Sequence, residues 1–294
     1  MNVLILGCNG QLGRAMMRQV AAAGHAVVGR DLPEFDLCDL AAARRDTAAA
    51  KPDLIVNCTA FTAVDRCESE PDMAYAVNHE AARHAAVLAA ELSARLVHFS
   101  TDYVFDGTGT RPYVESDQPC PVSVYGKSKL AGEAAVAEAC ERHQTLRLAW
   151  LYGLDGPNFV KTILRLARTL PAQGKPLRVV SDQLGTPTCA EDVCRQTLAL
   201  AERDEYGVFH CTSQGECTWF DFARRIVERF GLEAAVEPCS TSEFPRPAPR
   251  PAYSVLENRH LRDTGCDMMP RWEQAFDAFV DACRDRLLTA EEPS

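Results

Sequence analysis

The sequence predicts an α/β fold, a doubly wound parallel sheet with a smaller C-terminal lobe. Three observations predict it. Short apolar runs alternate with helical segments up to Trp150, an order typical of a parallel sheet covered by helices. The first apolar run ends in a glycine-rich turn that leads into a helix. Beyond Trp150 the alternation loosens, which indicates a separate lobe.

The elements follow from apolar periodicity and from the glycines and prolines that end each run. In the first half, strands are predicted at residues 2–6, 26–29, 54–57, 95–99 and 145–149, and helices at 12–23, 41–50, 72–92 and 125–142. In the second half, helices are predicted at 158–170, 191–201, 219–230 and 272–287, a strand at 208–211 and an ordered loop at 237–251. We therefore expect a dinucleotide-binding core at 1–150, to which 190–212 returns, and a substrate-binding lobe at 151–189 and 213–294.

Length and composition are those of an acidic globular protein. Of 294 residues, 47% are hydrophobic and 24% are charged, and the formal net charge is −10. That charge argues against a nucleic-acid binder, because contact with many phosphates requires a basic surface. The N-terminal apolar run is too short for a signal peptide, and no stretch reaches the roughly 18 apolar residues of a membrane helix. We expect a cytoplasmic protein without membrane contact.

Thirteen cysteines are scattered along the chain, and none forms a Cys-x-x-Cys pair. Two close pairs, Cys189 with Cys194 and Cys211 with Cys217, lack the usual zinc spacing. We expect free thiols.

Gly7, Gly10 and Gly13 form a Gly-x-x-Gly-x-x-Gly pattern after the first predicted strand. Glycines there let helix amides approach a pyrophosphate, as in the Rossmann dinucleotide-binding fold. A purely structural turn is the alternative, and the position between strand and helix favours a cofactor.

Arg30 and Asp31 follow the second predicted strand, where the adenosine ribose of such a cofactor lies. Asp31 suits the ribose hydroxyls of NADH, whereas Arg30 suits the 2′-phosphate of NADPH. The cofactor is therefore predicted as NADPH or NADH, and a loop ion pair is the alternative role of these two residues.

Tyr125 and Lys129 lie four residues apart, on one face of a predicted helix. Reduction of a ketone requires a hydride at carbon and a proton at oxygen. We predict that Tyr125 donates the proton, and that Lys129 lowers the pKa of the phenol and bonds the nicotinamide ribose. The hydroxyl of Thr101 would hold the carbonyl oxygen beside the phenol. The alternative is an exposed helix start with solvated lysines.

These stretches resemble the extended short-chain dehydrogenase/reductases, and more narrowly the dTDP-4-dehydrorhamnose reductase family. The resemblance spans nearly the whole chain. The stretches that carry it are Gly7–Gly13, 57–65 with 68–71, Ser100–Gly107, Tyr125–Glu133, Asn158-Phe159, Asp182-Gln-Leu-Gly-Thr-Pro-Thr188 and Arg250-Pro-x-x-Ser254-x-Leu256. The glycine turn and the Tyr/Lys pair occur across the superfamily, whereas the Thr62-Ala-Val-Asp65, Asp182–Thr188 and Arg250–Ser254 stretches are more selective.

The resemblance implies NAD(P)H-dependent reduction of a 4-keto-6-deoxy sugar nucleotide, the last step of dTDP-L-rhamnose synthesis. The further cofactor residues that it implies are Gln11, Leu12, Asp36, Leu37, Ala60, Phe61 and Thr62. The substrate residues that it implies are Val64, Asp65, Thr101, Asp102, Trp150, Asn158 and Arg250, the last as a clamp on the diphosphate. A core role for Trp150, a turn-capping role for Asp102 and a surface position for Arg250 are the alternatives.

Some members of the family form a dimer that magnesium bridges through glutamates. One acidic position, just after the glycine turn, is absent here because residues 14 and 15 are Arg14 and Ala15. Glu191 alone does not make a metal site. We predict no metal, and a monomer or homodimer.

Two other functions stay open. One is a sugar-nucleotide epimerase, dehydratase or other reductase of the same superfamily. Dehydration would require a second acid beside Thr101, and Asp102 is followed by Tyr103. The other is a non-catalytic, dinucleotide-binding regulatory subunit, since fold alone does not determine activity. Such proteins commonly lose one of the three catalytic residues, and all three are present here.

Overall fold

A computed structural model describes residues 1–289, and its centre is a parallel sheet flanked by helices. The first half contains, in chain order, β1 (Asn2–Leu6), α1 (Gln11–Ala22), β2 (Ala26–Arg30), α2 (Leu40–Ala50), β3 (Leu54–Asn57), α3 (Val64–Ser69), α4 (Pro71–Tyr75), a π-helical turn (Ala76–Glu80), α5 (Ala81–Glu91), β4 (Arg95–Thr101), a 3-10 turn (Asp102–Val104), α6 (Val124–Ala139) and β5 (His143–Leu148).

The second half adds short strands and the remaining helices. They are β6 (Leu151–Tyr152), α7 (Phe159–Thr169), a 3-10 turn (Pro171–Gln173), β7 (Leu177–Val180), β8 (Leu184–Gly185), β9 (Thr188–Cys189), α8 (Ala190–Ala201), β10 (Gly207–His210), β11 (Cys217–Thr218), α9 (Trp219–Phe230), β12 (Val236–Cys239), a 3-10 turn (Thr241–Glu243), α10 (Arg259–Asp263) and α11 (Trp272–Thr289).

The central sheet has six parallel strands in the order β10-β5-β4-β3-β1-β2. The chain leaves β1 toward β2 on one side and returns to β3 on the other, so the strand order reverses beside β1. Ligands of doubly wound sheets bind at the carboxyl ends of the strands near such a reversal. The predicted α/β fold class is confirmed.

The strands alternate their side chains between the two faces of the sheet. Val3 and Ile5 of β1 pack on one face, where α1 and α8 lie, and Leu4 and Leu6 pack on the other, against α5. Both faces of the sheet are covered by helices, which explains why its strands read as continuous apolar runs.

Part of the chain after β5 builds a second apolar core, centred on Tyr152, Phe222 and Phe276, each 0% exposed. The edge strand β10 lies next to β5 in the main sheet. The division into a core at 1–150 with 190–212 and a lobe at 151–189 and 213–294 stays a prediction. Residues 290–294 of that predicted lobe lie outside the described part of the chain.

Three predicted elements require correction. The helix predicted at 72–92 is interrupted by the π-helical turn Ala76–Glu80, where Asn78 bonds the loop after β3 instead of continuing a regular surface helix. Strand β4 runs two residues beyond the predicted 95–99, because Ser100 and Thr101 still pair with β5. The loop predicted at 237–251 begins within β12, which pairs with β7.

Between Met1 and Thr289, no helix is long and apolar enough to cross a membrane.

Candidate active site

The glycine turn between β1 and α1 leaves no room for side chains at two of its positions. Gly7 has a φ of +75°, and a Cβ atom there would lie 2.8 Å from the amide nitrogen of Thr59. A Cβ atom on Gly13 would lie 2.1 Å from the carbonyl oxygen of Gly7. Glycine is therefore required at both positions, which brings the turn, the loop after β3 and α1 into close contact.

The N-terminus of α1 is open to an anion. Its N-cap, Gly10, has no side chain to cap the helix, so the amides of Gln11, Leu12 and Gly13 have no intrahelical acceptor. Leu12 is 8% exposed and its side chain belongs to the core, so only its backbone amide is available to a ligand. Free amides at a helix start bind phosphate groups. The residues present therefore fit the pyrophosphate of a dinucleotide.

The residues after β2 brace this turn. Asp31 accepts a hydrogen bond from the backbone nitrogen of Asn9 through Oδ2 at 2.7 Å, and one from Leu32 through Oδ1 at 2.8 Å. Arg30 donates to the Gly29 carbonyl and lies near an exposed carboxylate of α2. Because each carboxylate oxygen can accept a further bond, Asp31 can support the turn and still meet a ribose.

The remaining predicted cofactor residues lie in two loops at this edge of the sheet. Asp36 is exposed and accepts from the Cys38 nitrogen, and the Leu37 side chain is 4% exposed in the core. Ala60, Phe61 and Thr62 follow β3. The backbone of Phe61 exchanges two hydrogen bonds with the Asn78 carboxamide, at 2.8 and 3.2 Å, which fixes the path of this loop.

Thr101 ends β4, and α6 places Tyr125 and Lys129 beside it. The Lys129 side chain is almost fully buried, and its Nζ donates to the Phe99 carbonyl at 2.6 Å. Burial lowers the pKa of Lys129 to about 8, and the negative charge of Glu133 opposes that shift. Lys129 thus keeps a proton at neutral pH.

Tyr125 is 9% exposed, and its ring meets Tyr103 edge-on at 5.5 Å. Burial raises the pKa of the phenol, and the neighbouring Thr101 hydroxyl offsets this only in part. The net pKa of this phenol is thus raised in the protein alone, because burial outweighs the other influences, and the lowering by Lys129, whose ammonium bonds Phe99, stays a prediction. The phenol therefore holds its proton at neutral pH, and donation of that proton requires a neighbouring charge that stabilises the phenolate.

Asp102 lies next to this group and is 2% exposed. Its Oδ1 accepts from the Thr101 hydroxyl at 3.0 Å, and Oδ2 is buried without a hydrogen-bond partner among residues 1–289. Burial raises the pKa of Asp102 to about 6, although the hydroxyls of Ser254 and Thr101 oppose the shift. Asp102 is thus a buried group that adjoins Thr101, and its turn-capping role stays an alternative.

Asp65 and Arg250 form an ion pair at the mouth of this group. The Arg250 guanidinium contacts both Asp65 oxygens, at 3.1 and 3.2 Å, and Arg246 approaches the same carboxylate at 4.0 Å. Burial opposes the shift, but bonds from Arg250 and from the Ala248 amide hold the pKa of Asp65 below its usual value. Val64, the neighbour of Asp65, packs in the same small cluster as Tyr125.

Trp150 and Asn158 lie where the chain leaves β5. Trp150 has a φ of +44° and stacks on Trp219, with ring centroids 3.5 Å apart. The Asn158 side chain caps α7 and donates to the Gly153 carbonyl at 2.8 Å and to the Gln11 side chain at 3.2 Å. Gln11, predicted for the cofactor, and Asn158, predicted for the substrate, are therefore in direct contact.

The sequence did not predict two interactions beside the site, an ion pair and a stack of two tryptophans. Glu133 and Arg147 form a buried bidentate ion pair that also receives the Ser100 hydroxyl. The signal for Glu133 was present, since it continues the four-residue spacing of Tyr125 and Lys129 along one helix face. The stack of Trp219 on Trp150 had no such signal, because the two residues are distant in sequence.

The thirteen cysteines are free thiols. Among the described residues, no cluster of three or more His, Cys, Asp or Glu side chains is arranged to hold a metal ion. The Glu191 carboxylate lies 3.5 Å from Arg18, which also pairs with Asp155.

Comparison with known proteins identifies close relatives. A family model described as "RmlD substrate binding domain" matches residues 1–285. A dTDP-4-dehydrorhamnose reductase of Sinorhizobium fredii is 40% identical over 291 residues, covering 95% of this chain and 97% of the relative.

Solved structures agree with the sequence relatives. A dTDP-4-dehydrorhamnose reductase of Clostridium acetobutylicum superposes with a TM-score of 0.92 at 41% identity, covering 97% of this chain and 100% of its own. One from Bacillus anthracis, solved in complex with NADP, superposes with a TM-score of 0.91 at 36% identity, covering 95% and 98%.

Proposed function

This chain belongs to the dTDP-4-dehydrorhamnose reductase family, and we propose that it reduces dTDP-4-dehydro-6-deoxy-L-mannose to dTDP-L-rhamnose with NADPH or NADH. One observation in this chain carries the proposal. Tyr125 lies within hydrogen-bond reach of Thr101 at the carboxyl edge of the sheet, with buried Lys129 one helical turn away and an open helix start nearby that fits a dinucleotide. The names of its relatives supply the substrate.

The cofactor would rest on the glycine turn, Gln11 and Leu12, with Asp31 and Arg30 at the ribose. The further residues proposed to line it are Asp36, Leu37, Ala60, Phe61, Thr62, Tyr125 and Lys129. When bound, the reduced nicotinamide supplies the hydride that C4 of the sugar receives.

The residues of the chain provide the proton. Tyr125 donates its phenolic proton to O4 as that oxygen gains negative charge. The positive charge of Lys129, one helical turn away, stabilises the phenolate that remains. The Thr101 hydroxyl holds the carbonyl oxygen beside the phenol, and burial of all three residues excludes water that would weaken these interactions.

The sugar nucleotide would bind between the edge of the sheet and the second apolar core. Val64, Asp102, Trp150 and Asn158 are proposed to border the sugar. Arg250 is proposed to bind the diphosphate. Together, Arg250 and Arg246 place two positive charges against the single carboxylate of Asp65. The surroundings of Asp65 therefore keep an excess of positive charge, although the protein as a whole is acidic.

The predicted domain division, action in the cytoplasm and a monomeric or homodimeric state remain part of the proposal. The net charge of −10 supports a small-molecule substrate in place of nucleic acid.

The test is the oxidation of NADH and of NADPH by the purified protein, with dTDP-4-dehydro-6-deoxy-L-mannose as substrate and the product identified by NMR. UDP-linked 4-keto-6-deoxy sugars serve as the comparison. Absence of oxidation with every 4-keto sugar nucleotide would favour a non-catalytic subunit. An epimerised or dehydrated product without net oxidation of the coenzyme would favour a sugar-nucleotide epimerase or dehydratase of the same superfamily.

Tyr125→Phe should abolish turnover while coenzyme affinity stays within about threefold, because only the transferable proton is lost. Tyr206→Phe is the matched control, since that phenol bonds exposed Asp204 at the other end of the sheet strands. Full activity of Tyr125→Phe would show that the proton has another source.

A further inference from the structure

Neither the cofactor nor the proton transfer accounts for the Asp182–Thr188 stretch. Its central residue, Gly185, lies against the indole of Trp150. A Cβ atom on Gly185 would lie 2.3 to 2.6 Å from three atoms of that ring. Any side chain at position 185 would therefore displace Trp150.

Trp219 contacts the same indole. The rings of Trp150 and Trp219 are 7° from parallel with centroids 3.5 Å apart. Two rings this close leave no space between them for backbone, so Gly185 must contact another part of the Trp150 ring. Phe159 packs against Trp219 at 4.4 Å. The Trp150 indole thus contacts both the Gly185 position and an aromatic row formed by Trp219 and Phe159.

The local fold aligns these partners. Strand β8 pairs with β11, so that Gly185 lies opposite Cys217. Trp219 follows β11 directly as the first residue of α9, and the reciprocal hydrogen bonds of Thr218 and Asp221 fix that helix start. The pairing of β8 with β11 and the fixed start of α9 therefore hold Gly185 and Trp219 together beside Trp150.

Trp150 needs such support. It adopts φ +44°, a backbone region that is unfavourable for a residue with a bulky side chain. It also lies two residues beyond Leu148, which pairs with Thr101 across β4 and β5. A shift of Trp150 would therefore alter the proposed sugar site near Thr101.

We propose that Trp219, with Gly185, is a positioning residue for the substrate: the two fix the plane in which Trp150 meets the sugar. The inference rests on the proposed function, because it assigns Trp150 to the sugar pocket. It also explains why position 185 of the Asp182–Thr188 stretch is glycine, because the Trp150 ring leaves no room for a side chain there.

The experiment compares Trp219→Ala, Trp219→Phe and Gly185→Ala with the unsubstituted enzyme. The chain has three tryptophans, so the Trp150–Trp219 stack can be followed by its exciton couplet in circular dichroism. We expect Trp219→Ala to lose the couplet and to raise KM for the sugar nucleotide about three- to tenfold, the range of an aromatic pair. The KM for coenzyme should stay unchanged, and kcat should change less than KM.

The other variants separate positioning from general stability. Trp219→Phe keeps an aromatic ring on Trp150 and should restore most of the substrate KM. Gly185→Ala should weaken the couplet and raise the same KM without altering Trp219. Trp272→Phe is the control, because Trp272 packs on Phe222 in the second core and its loss should leave both the couplet and the KM in place.

Melting temperatures identify any variant that fails to fold, and if Trp219→Ala does so, the KM of Gly185→Ala decides. A Trp219→Ala enzyme that loses the couplet but keeps its substrate KM within twofold would overturn the inference. So would an equal rise of KM in Trp272→Phe. Failure of the unsubstituted enzyme to reduce any 4-keto sugar nucleotide would instead reject the proposed function, while the couplet would still report the stack.

Discussion

Replacement of Glu133 by Gln tests how the buried ion pair supports the catalytic helix. The side chains of Glu133 and Arg147 are 6% and 4% exposed, and their two hydrogen bonds measure 2.7 and 2.9 Å. Glutamine keeps the shape of the side chain but leaves the Arg147 guanidinium buried without a counter-charge. Removal of one partner from such a pair costs about 3–5 kcal/mol.

We therefore expect Glu133→Gln to lower the free energy of unfolding by about 3–5 kcal/mol, measured by urea denaturation at pH 7. Glu138→Gln, on the exposed side of the same helix, should change it by less than about 0.5 kcal/mol. Replacement of both partners, Glu133→Leu with Arg147→Met, should recover much of the loss, because no unpaired charge then remains buried. A Glu133→Gln protein within about 1 kcal/mol of the unsubstituted one would refute the reasoning.

Two further predictions follow from the turn and from the ammonium. Gly13→Ala places a Cβ atom 2.1 Å from the Gly7 oxygen and should cost about 1–3 kcal/mol of stability. In Gly10→Ala the Cβ atom would meet only an oxygen at 3.5 Å, so stability should change by less than about 0.5 kcal/mol, while the KM for the coenzyme should rise. Equal melting temperatures of Gly13→Ala and Gly10→Ala would contradict the expected difference in stability. Because burial lowers the pKa of Lys129 to about 8, kcat/KM should fall as pH rises through that value. In Glu133→Gln this fall should move to lower pH, because the variant loses a negative charge that favours the Lys129 ammonium. In Lys127→Met, which changes an exposed neighbour, the pH of the fall should not change. An unchanged pH profile in Glu133→Gln would exclude Lys129 as the origin of the fall.

The strand and helix pattern of the core could be predicted because it depends on neighbours in sequence. Apolar runs such as 54–57 mark buried parallel strands whatever lies beside them. The glycines at 7 and 13 mark a turn that no other residue fits. The four-residue spacing of Tyr125 and Lys129 places both on one helix face without knowledge of the rest of the fold.

The short strands β6, β8, β9 and β11 could not be predicted in this way. Each has two residues, too few for any periodicity, and each exists only because a partner strand lies beside it. The π-helical turn at Ala76–Glu80 has the same origin. Asn78 bonds the Phe61 backbone there, a contact that the alanine-rich sequence of the helix does not signal.

The sequence by itself determined the sheet, the glycine turn and the set of groups that carry the chemistry, because residues close in the chain decide backbone conformation and helix face. The tertiary structure decided their electrostatics and support. Burial, which depends on the whole fold, raises the pKa of Tyr125 and lowers that of Lys129. The contacts of Asp65 with Arg250 and of Trp150 with Trp219 join distant parts of the chain, and only packing brings such residues together.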